Sequence, residues 1–199
     1  QETFKRELSM LKAVQHRNIV SGLGFCETSS QLTLFLEYCE GGPLCDLIYY
    51  SNIELHAFQK CTMLGDVIEA MEYLHGLCPQ IIHRDLKSLN LLLSHPVASS
   101  QDMPLVKLCD FGSSRAMTRG KSTEWTDMTK AVGTLQWMAP EASSGHYDEK
   151  VDVYSFAVVM YELLCHDIPF ADLSPEDIRA AVSQGVRPDL EVLDPSTPT

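Results

Sequence analysis

From its amino end the chain first shows a helical period. Phe4, Glu7, Leu8 and Leu11 recur at i, i+3, i+4 and i+7, which predicts a helix carrying one acid on its apolar face. Two apolar runs of strand length follow, IVSGLGF (19–25) and QLTLFLEYC (31–39), the second rich in β-type residues and closed by EGGP. That Gly-Gly-Pro marks the expected boundary between two parts of the molecule. From about residue 53, Phe58, Cys61, Leu64, Ile68, Met71 and Leu74 predict a long amphipathic helix ended by GLCP. Two short apolar stretches, NLLL and LVKLC, then flank the polar loop SHPVASSQDMP. Residues 113–134 form a loop dense in hydroxyls, and helices are expected at about 151–164 and 174–184. The order of helix, strands and then mostly helices is an α+β pattern with no internal repeat.

Composition narrows the class. The 199 residues carry 15 basic and 27 acidic side chains, a net charge of −12, which argues against a general nucleic-acid binder or an anionic-membrane binder. Seven cysteines at irregular spacing, with no CxxC, argue against a zinc site or disulfide framework and for a reducing, cytoplasmic setting. The run VDVYSFAVVMYELL is too short to cross a bilayer and holds Asp152 and Glu162, so it is expected to be a buried core helix. Gln1 stands inside a helical pattern and LDPSTPT ends on loop-like residues. The chain is therefore expected to be a piece of a longer one.

Residues 83–90, HRDLKSLN, set an acid, two bases and an amide between apolar flanks, where charge is expensive unless it is paired or holds a ligand. Further along come CDFG (109–112), GTLQWMAPE (133–141) and DVYSF (152–156). In this order the four resemble the protein kinase catalytic domain, through its HRD, DFG and APE elements. The resemblance implies a bilobal α+β fold: a truncated N-lobe with helix C and strands 4–5 and a hinge over 1–40, and a mainly helical C-lobe over 41–199. It also implies ATP and Mg²⁺ as cofactors.

By the same resemblance, Asp85 orients or accepts the proton of a substrate hydroxyl, and Lys87 sets a point charge on the transferring phosphoryl group. Asn90 and Asp110 supply hard oxygen ligands to magnesium. Arg84 faces a phosphorylated loop residue, with Thr126 and Thr129 the candidates, modified by an upstream kinase or by autophosphorylation. His83 and Phe111 pack this loop on the core, and Asp152 holds its backbone. FLEYCEGG resembles the hinge: Leu36 is the gatekeeper, the backbones of Glu37 and Cys39 meet the adenine edge, and Leu92 packs on its face. Glu7 resembles the helix-C glutamate. Lys87 together with Thr134 resembles serine/threonine rather than tyrosine kinases, and the wider motif set resembles the tyrosine-kinase-like group, mixed-lineage and other MAP kinase kinase kinases included. A protein substrate with a Ser or Thr acceptor follows.

The pattern also departs from the family. GLGFCE lacks a third glycine and lies after the helix-C segment, so it is read as a strand; no strand lysine precedes Glu7. Gly22 stands where an apolar side chain would help tie the lobes. Glu141 is expected to lack its usual arginine, at the cost of an unpaired buried carboxylate, leaving the isolated chain poorly stable and inactive. The competing reading is a non-catalytic, pseudokinase-like interaction module.

Overall fold

The computed structural model describes residues 2–28, 31–99, 101–117, 135–144 and 148–190. Helix α1 (Glu2–Ala13) leads into an antiparallel hairpin of β1 (Gly22–Glu27) and β2 (Leu32–Leu36), with Gly22 opposite Leu36 and Glu27 opposite Leu32. GLGFCE is thus a strand, as its sequence suggests. All six of its residues are exposed, because only one strand pairs with it among the described residues.

The glycines of EGGP serve two different purposes. A side chain on Gly41 would put Cβ 2.4 Å from the His95 carbonyl oxygen, so only glycine allows that close approach. Gly42 adopts a left-handed φ of 68°. Behind them β3 (Gly42–Pro43), β5 (Leu91–Leu93) and β6 (Val106–Leu108) form a small antiparallel sheet in the order β3-β5-β6. The NLLL and LVKLC stretches are therefore paired strands, and SHPVASSQDMP is the surface loop joining them.

A second two-stranded ribbon joins β4 (Gln80–Ile82) to β7 (Arg115–Met117), so the start of the hydroxyl-rich stretch is a strand and not loop. Helix α2 (Leu44–Tyr50) has no forerunner in the period analysis, being only seven residues long. Its Leu44, Leu47 and Ile48 are buried. Helices α3 (Ala57–Gly76), α4 (Lys150–Cys165) and α5 (Pro175–Ser183) match the expected spans, and α5 starts at Ser174, whose side chain accepts from Asp177 N, with Pro175 in its first turn.

The buried face of α3 corrects the sequence reading. Phe58 and Ile68 are 71% and 50% exposed, and Cys61 is exposed, whereas Gln59, Met63, Asp66, Val67, Ala70, Met71 and Leu74 are buried. Two polar residues turn inward because the surface loop and the start of β6 need them. Gln59 Nε2 donates to the carbonyls of Ser99 (3.2 Å) and Asp102 (2.9 Å), and Asp66 Oδ2 accepts from Val106 N at 2.8 Å. Meeting those backbone groups outweighs burying Phe58 or Ile68.

The main core runs from Leu11, Val14 and Ile19 through Leu44, Met63, Val67, Ala70 and Leu74 to Leu86, Leu91, Leu108, Phe111, Val159 and Leu163. It is the bed on which residues 83–90 lie. Among the described residues no helix is long and apolar enough to cross a membrane.

Candidate active site

The segment 83–90 is held from below by one carboxylate. Asp152, in the first turn of α4 and buried, accepts from the backbone N–H of His83 at 2.9 Å and of Arg84 at 2.8 Å, and its Oδ2 lies 2.9 Å from His75 Nε2. Two adjacent amides on one carboxylate force a sharp turn, and Arg84 takes a left-handed φ of 71°. His83 is fully buried against Phe111, ring centroids 5.3 Å apart and edge-on, and its Nε2 sits 3.1 Å from the Cys109 carbonyl. The packing roles expected of His83 and Phe111, and the backbone-holding role of Asp152, are what the geometry shows.

Above that turn the polar side chains converge. Lys87 Nζ lies 2.9 Å from Asp85 Oδ2, and Asn90 Nδ2 donates to the same oxygen at 3.1 Å and to the Asp85 carbonyl at 2.8 Å. Among the described residues Asp85 Oδ1 and Asn90 Oδ1 take no hydrogen bond. Asn90's carbonyl accepts from Cys109 N at 2.9 Å, which docks the next segment alongside. There Asp110 stands exposed with a left-handed φ of 63°, its Oδ1 accepting from Gly112 N at 3.1 Å. Three side chains of one segment therefore meet at Asp85, and a backbone bond sets the segment that carries Asp110 beside them. Burial and then the neighbouring Asp110 charge push the Cys109 thiol up to about 12, so at neutral pH it is a protonated thiol.

Glu7, on α1, is close enough to Asp110 to feel it. Burial, and then the Asp110 charge, raise its pKa above the usual carboxylate range. Among the described residues it has no ion-pair partner. Thr126, Thr129 and Thr134 lie outside the described residues, and Arg84's expected partner lies there with them.

Just past β2, Glu37 turns its side chain back onto the protein. Its Oε1 lies 2.7 Å from Lys107 Nζ and its Oε2 accepts from Ser21 N at 2.8 Å, while Glu37 N donates to the Ser21 carbonyl at 2.9 Å. The Cys39 carbonyl accepts from Gly42 N at 3.2 Å. Among the described residues this leaves a backbone acceptor on Glu37 and a backbone donor on Cys39, an arrangement that suits the donor and acceptor edge of an adenine. Leu92 is half-buried on β5, between Pro43 and Lys107, and Leu36 is 36% exposed at the end of β2. For a divalent cation the open oxygens are Asn90 Oδ1 and the Asp110 carboxylate, a hard-oxygen set that suits magnesium completed by water and phosphate.

Sequence reasoning missed two residues here. Lys107 had the signal of a lone cation in an apolar strand, and Glu162 that of an acid in an apolar helix. Glu141 corrects an expectation: it is exposed and not without a partner, so no buried-charge penalty arises. Its charge reaches Tyr154, over whose ring Arg187 lies at 5.1 Å.

With this geometry in place, the comparisons are decisive. A family model described as protein kinase domain matches residues 1–193, and the chain belongs to that family. It is 41% identical over 175 residues to a probable serine/threonine-protein kinase of Dictyostelium discoideum, covering 87% of this chain and 16% of that protein. It is 37% identical over 182 residues to the serine/threonine-protein kinase CTR1 of Arabidopsis thaliana, covering 90% and 21%. Against the mitogen-activated protein kinase kinase kinase dlk-1 of Caenorhabditis briggsae it is 36% identical over 169 residues, covering 84% and 18%. These relatives place it with the tyrosine-kinase-like kind. The chain spans about a fifth or less of the length of the curated relatives it matches.

Proposed function

We propose that this chain is the core of a catalytic domain that transfers a phosphoryl group from ATP, with Mg²⁺, to serine or threonine hydroxyls of protein substrates. The observation that carries the reading is the convergence of Lys87 Nζ and Asn90 Nδ2 on a single oxygen of Asp85, at 2.9 and 3.1 Å. That pairing orients the carboxylate and leaves Oδ1 open toward a substrate hydroxyl, whose proton it orients or accepts.

ATP bound with Mg²⁺ supplies the phosphoryl group and the charge that balances it. Asn90 and Asp110 are the residues to hold the cation, Glu37 and Cys39 offer their backbone to adenine, and Leu92 packs on its face. Lys87, reaching Asp85 and the open face at once, is positioned to neutralise charge developing on the transferred group. Residues 1–40 serve as the N-lobe portion and hinge, and 41–199 as the C-lobe. Lys87, two residues past Asp85, and the serine/threonine-protein kinase names of the relatives support the choice of acceptor.

The protein partners are a Ser/Thr substrate and an upstream activating kinase, or a second copy acting by autophosphorylation on Thr126 or Thr129, with Arg84 receiving the phosphate. A cytoplasmic setting suits this role. A second reading, the non-catalytic module, draws on one observation, the raised pKa of Glu7 beside Asp110, with no cation paired to it among the described residues.

Labelling decides between them. The full-length protein, given γ-labelled ATP, Mg²⁺ and a mixed protein substrate, is expected to label serine and threonine and to lose that labelling in Asp110→Asn. Nucleotide-independent partner binding with no labelling in the wild type would establish the second reading.

A further inference from the structure

The last two turns of α3 carry a charge pattern that the rest of the described structure does not answer. Glu69 and Glu72 are exposed there, and among the described residues neither carboxylate has a hydrogen-bond or ion-pair partner. Like charges one turn apart repel, and an acid near a helix C-terminus opposes the macrodipole, so both placements weaken the helix. The positions three and four away, where a lysine or arginine would offset them, hold Gly65, Asp66, Ile68, Tyr73, His75 and Gly76. His75 is already turned to Asp152. Gly65 adds to the cost, since a Cβ there would meet nothing within 4 Å and packing gives no reason for a glycine inside the helix.

A wall stands beside these acids. The turn after α1 sets His16 over Tyr73, with ring centroids 5.0 Å apart and planes 21° from parallel. Tyr73 Oη accepts from Gln15 N at 3.0 Å, and His16 Nδ1 accepts from Asn18 N at 3.2 Å, so backbone groups fix both rings. With Glu69, Glu72, Gly76 and Leu77 the two rings line an open cleft of about 500 Å³. The acids are exposed in it, while His16, Tyr73 and Leu77 are half-buried. Arg17, the residue after His16, is exposed and pairs with neither acid.

We infer that this cleft docks an arginine-bearing segment of a partner protein, the guanidinium meeting Glu69 and Glu72 and its aliphatic stem lying along Tyr73 and Leu77. The sign of the charge selects a cation and refuses phosphate. A metal ion lacks ligands, because no three His, Cys, Asp or Glu side chains gather as a metal site among the described residues. Arginine suits the cleft better than lysine, since its planar head both forks onto a carboxylate and stacks on a ring. Stability given up on an exposed face without internal return is what a binding surface carries. None of the lining residues belongs to segments 83–90 or 109–112, so the inference does not rest on the catalytic reading.

The test uses the full-length protein and a short fluorescein-labelled peptide that alternates arginine with leucine, its binding followed by anisotropy. The double variant Glu69→Gln, Glu72→Gln is expected to raise Kd about tenfold or more and to leave Tm unchanged or higher. The control Asp172→Asn, Glu176→Gln removes the same charge from other exposed acids and is expected to stay within about twofold of wild type. Bound peptide is expected to slow amide exchange at 15–17 and 69–77, and a peptide with citrulline for arginine to show no binding. Equal losses in the two double variants would assign the attraction to net charge and overturn the inference. Absence of saturable binding, or exchange at 15–17 and 69–77 that the peptide leaves unchanged, would also overturn it. A lowered Tm in the Glu69, Glu72 variant would do the same, by revealing a partner for these acids within the chain.

Discussion

Lys107 Nζ, on the strand that leads to Asp110, lies 2.7 Å from Oε1 of Glu37, the residue just past β2. The link is partly buried, the two side chains being 13% and 24% exposed. Burial alone would raise the Glu37 pKa, but the bonds from Lys107 and Ser21 outweigh it and hold the group below its ordinary 4.5. A carboxyl depressed on folding adds stability above its unfolded pKa, and that contribution is lost as pH falls through the folded value. Lys107→Met is therefore expected to lower Tm at about pH 7 and to lower it by less at about pH 2, where the depressed carboxyl takes up its proton. Equal differences at both values, by calorimetry, would count against the pair.

The two amides held by Asp152 make a sharper case. Asp152→Ala leaves the N–H groups of His83 and Arg84 unsatisfied beneath the catalytic turn, with a loss of about 3 kcal/mol or more. Asp152→Asn keeps one acceptor oxygen and should lose roughly half as much. Denaturant titration measures both; an Ala variant within about 0.5 kcal/mol of wild type would be incompatible with the turn as described.

Cys109 offers a chemical check. With its thiol pushed up to about 12, only about one molecule in ten thousand is thiolate at about pH 8. Exposed Cys26, Cys61 and Cys78 should alkylate with iodoacetamide in the native state, whereas Cys109 should react only after denaturation. Mass spectrometry of the digested protein reads the order, and early labelling of Cys109 would contradict its raised thiol.

Two glycines should respond in opposite ways. At Gly41 a Cβ meets the His95 carbonyl at 2.4 Å, so Gly41→Ala must shift backbone and is expected to cost about 1–3 kcal/mol. At Gly22 the same atom stands 3.4 Å from Leu11 Cβ, an ordinary contact, and Gly22→Ala should be neutral or stabilising by up to about 1 kcal/mol. A single methyl group at Gly22 would thus touch α1. Thermal unfolding of the pair separates the two outcomes.

Helix α3 yields the last prediction. Phe58→Ser, on the exposed side, should change stability by no more than about 0.5 kcal/mol, while Met63→Ala should cost about 2–5 kcal/mol. The reverse ranking would restore the face that the apolar period alone selects.

That helix shows where sequence stops. The chain by itself determined the elements whose cause is local: the strand-turn-strand at 22–36, the Ser174–Pro175 helix start, and the crowding of His83, Asp85, Lys87 and Asn90 into one turn followed by Asp110 and Phe111. Their spacing is short, so neighbouring residues carry the whole signal. Only the tertiary structure decided which side of α3 turns inward, because Gln59 and Asp66 answer backbone groups of the surface loop and of β6, some forty residues away. The same holds for Glu162, whose donors Trp137, Ser88 and Tyr49 stand 25, 74 and 113 positions distant. A buried charge has no periodicity to announce it; its partners exist only once the chain has closed on itself.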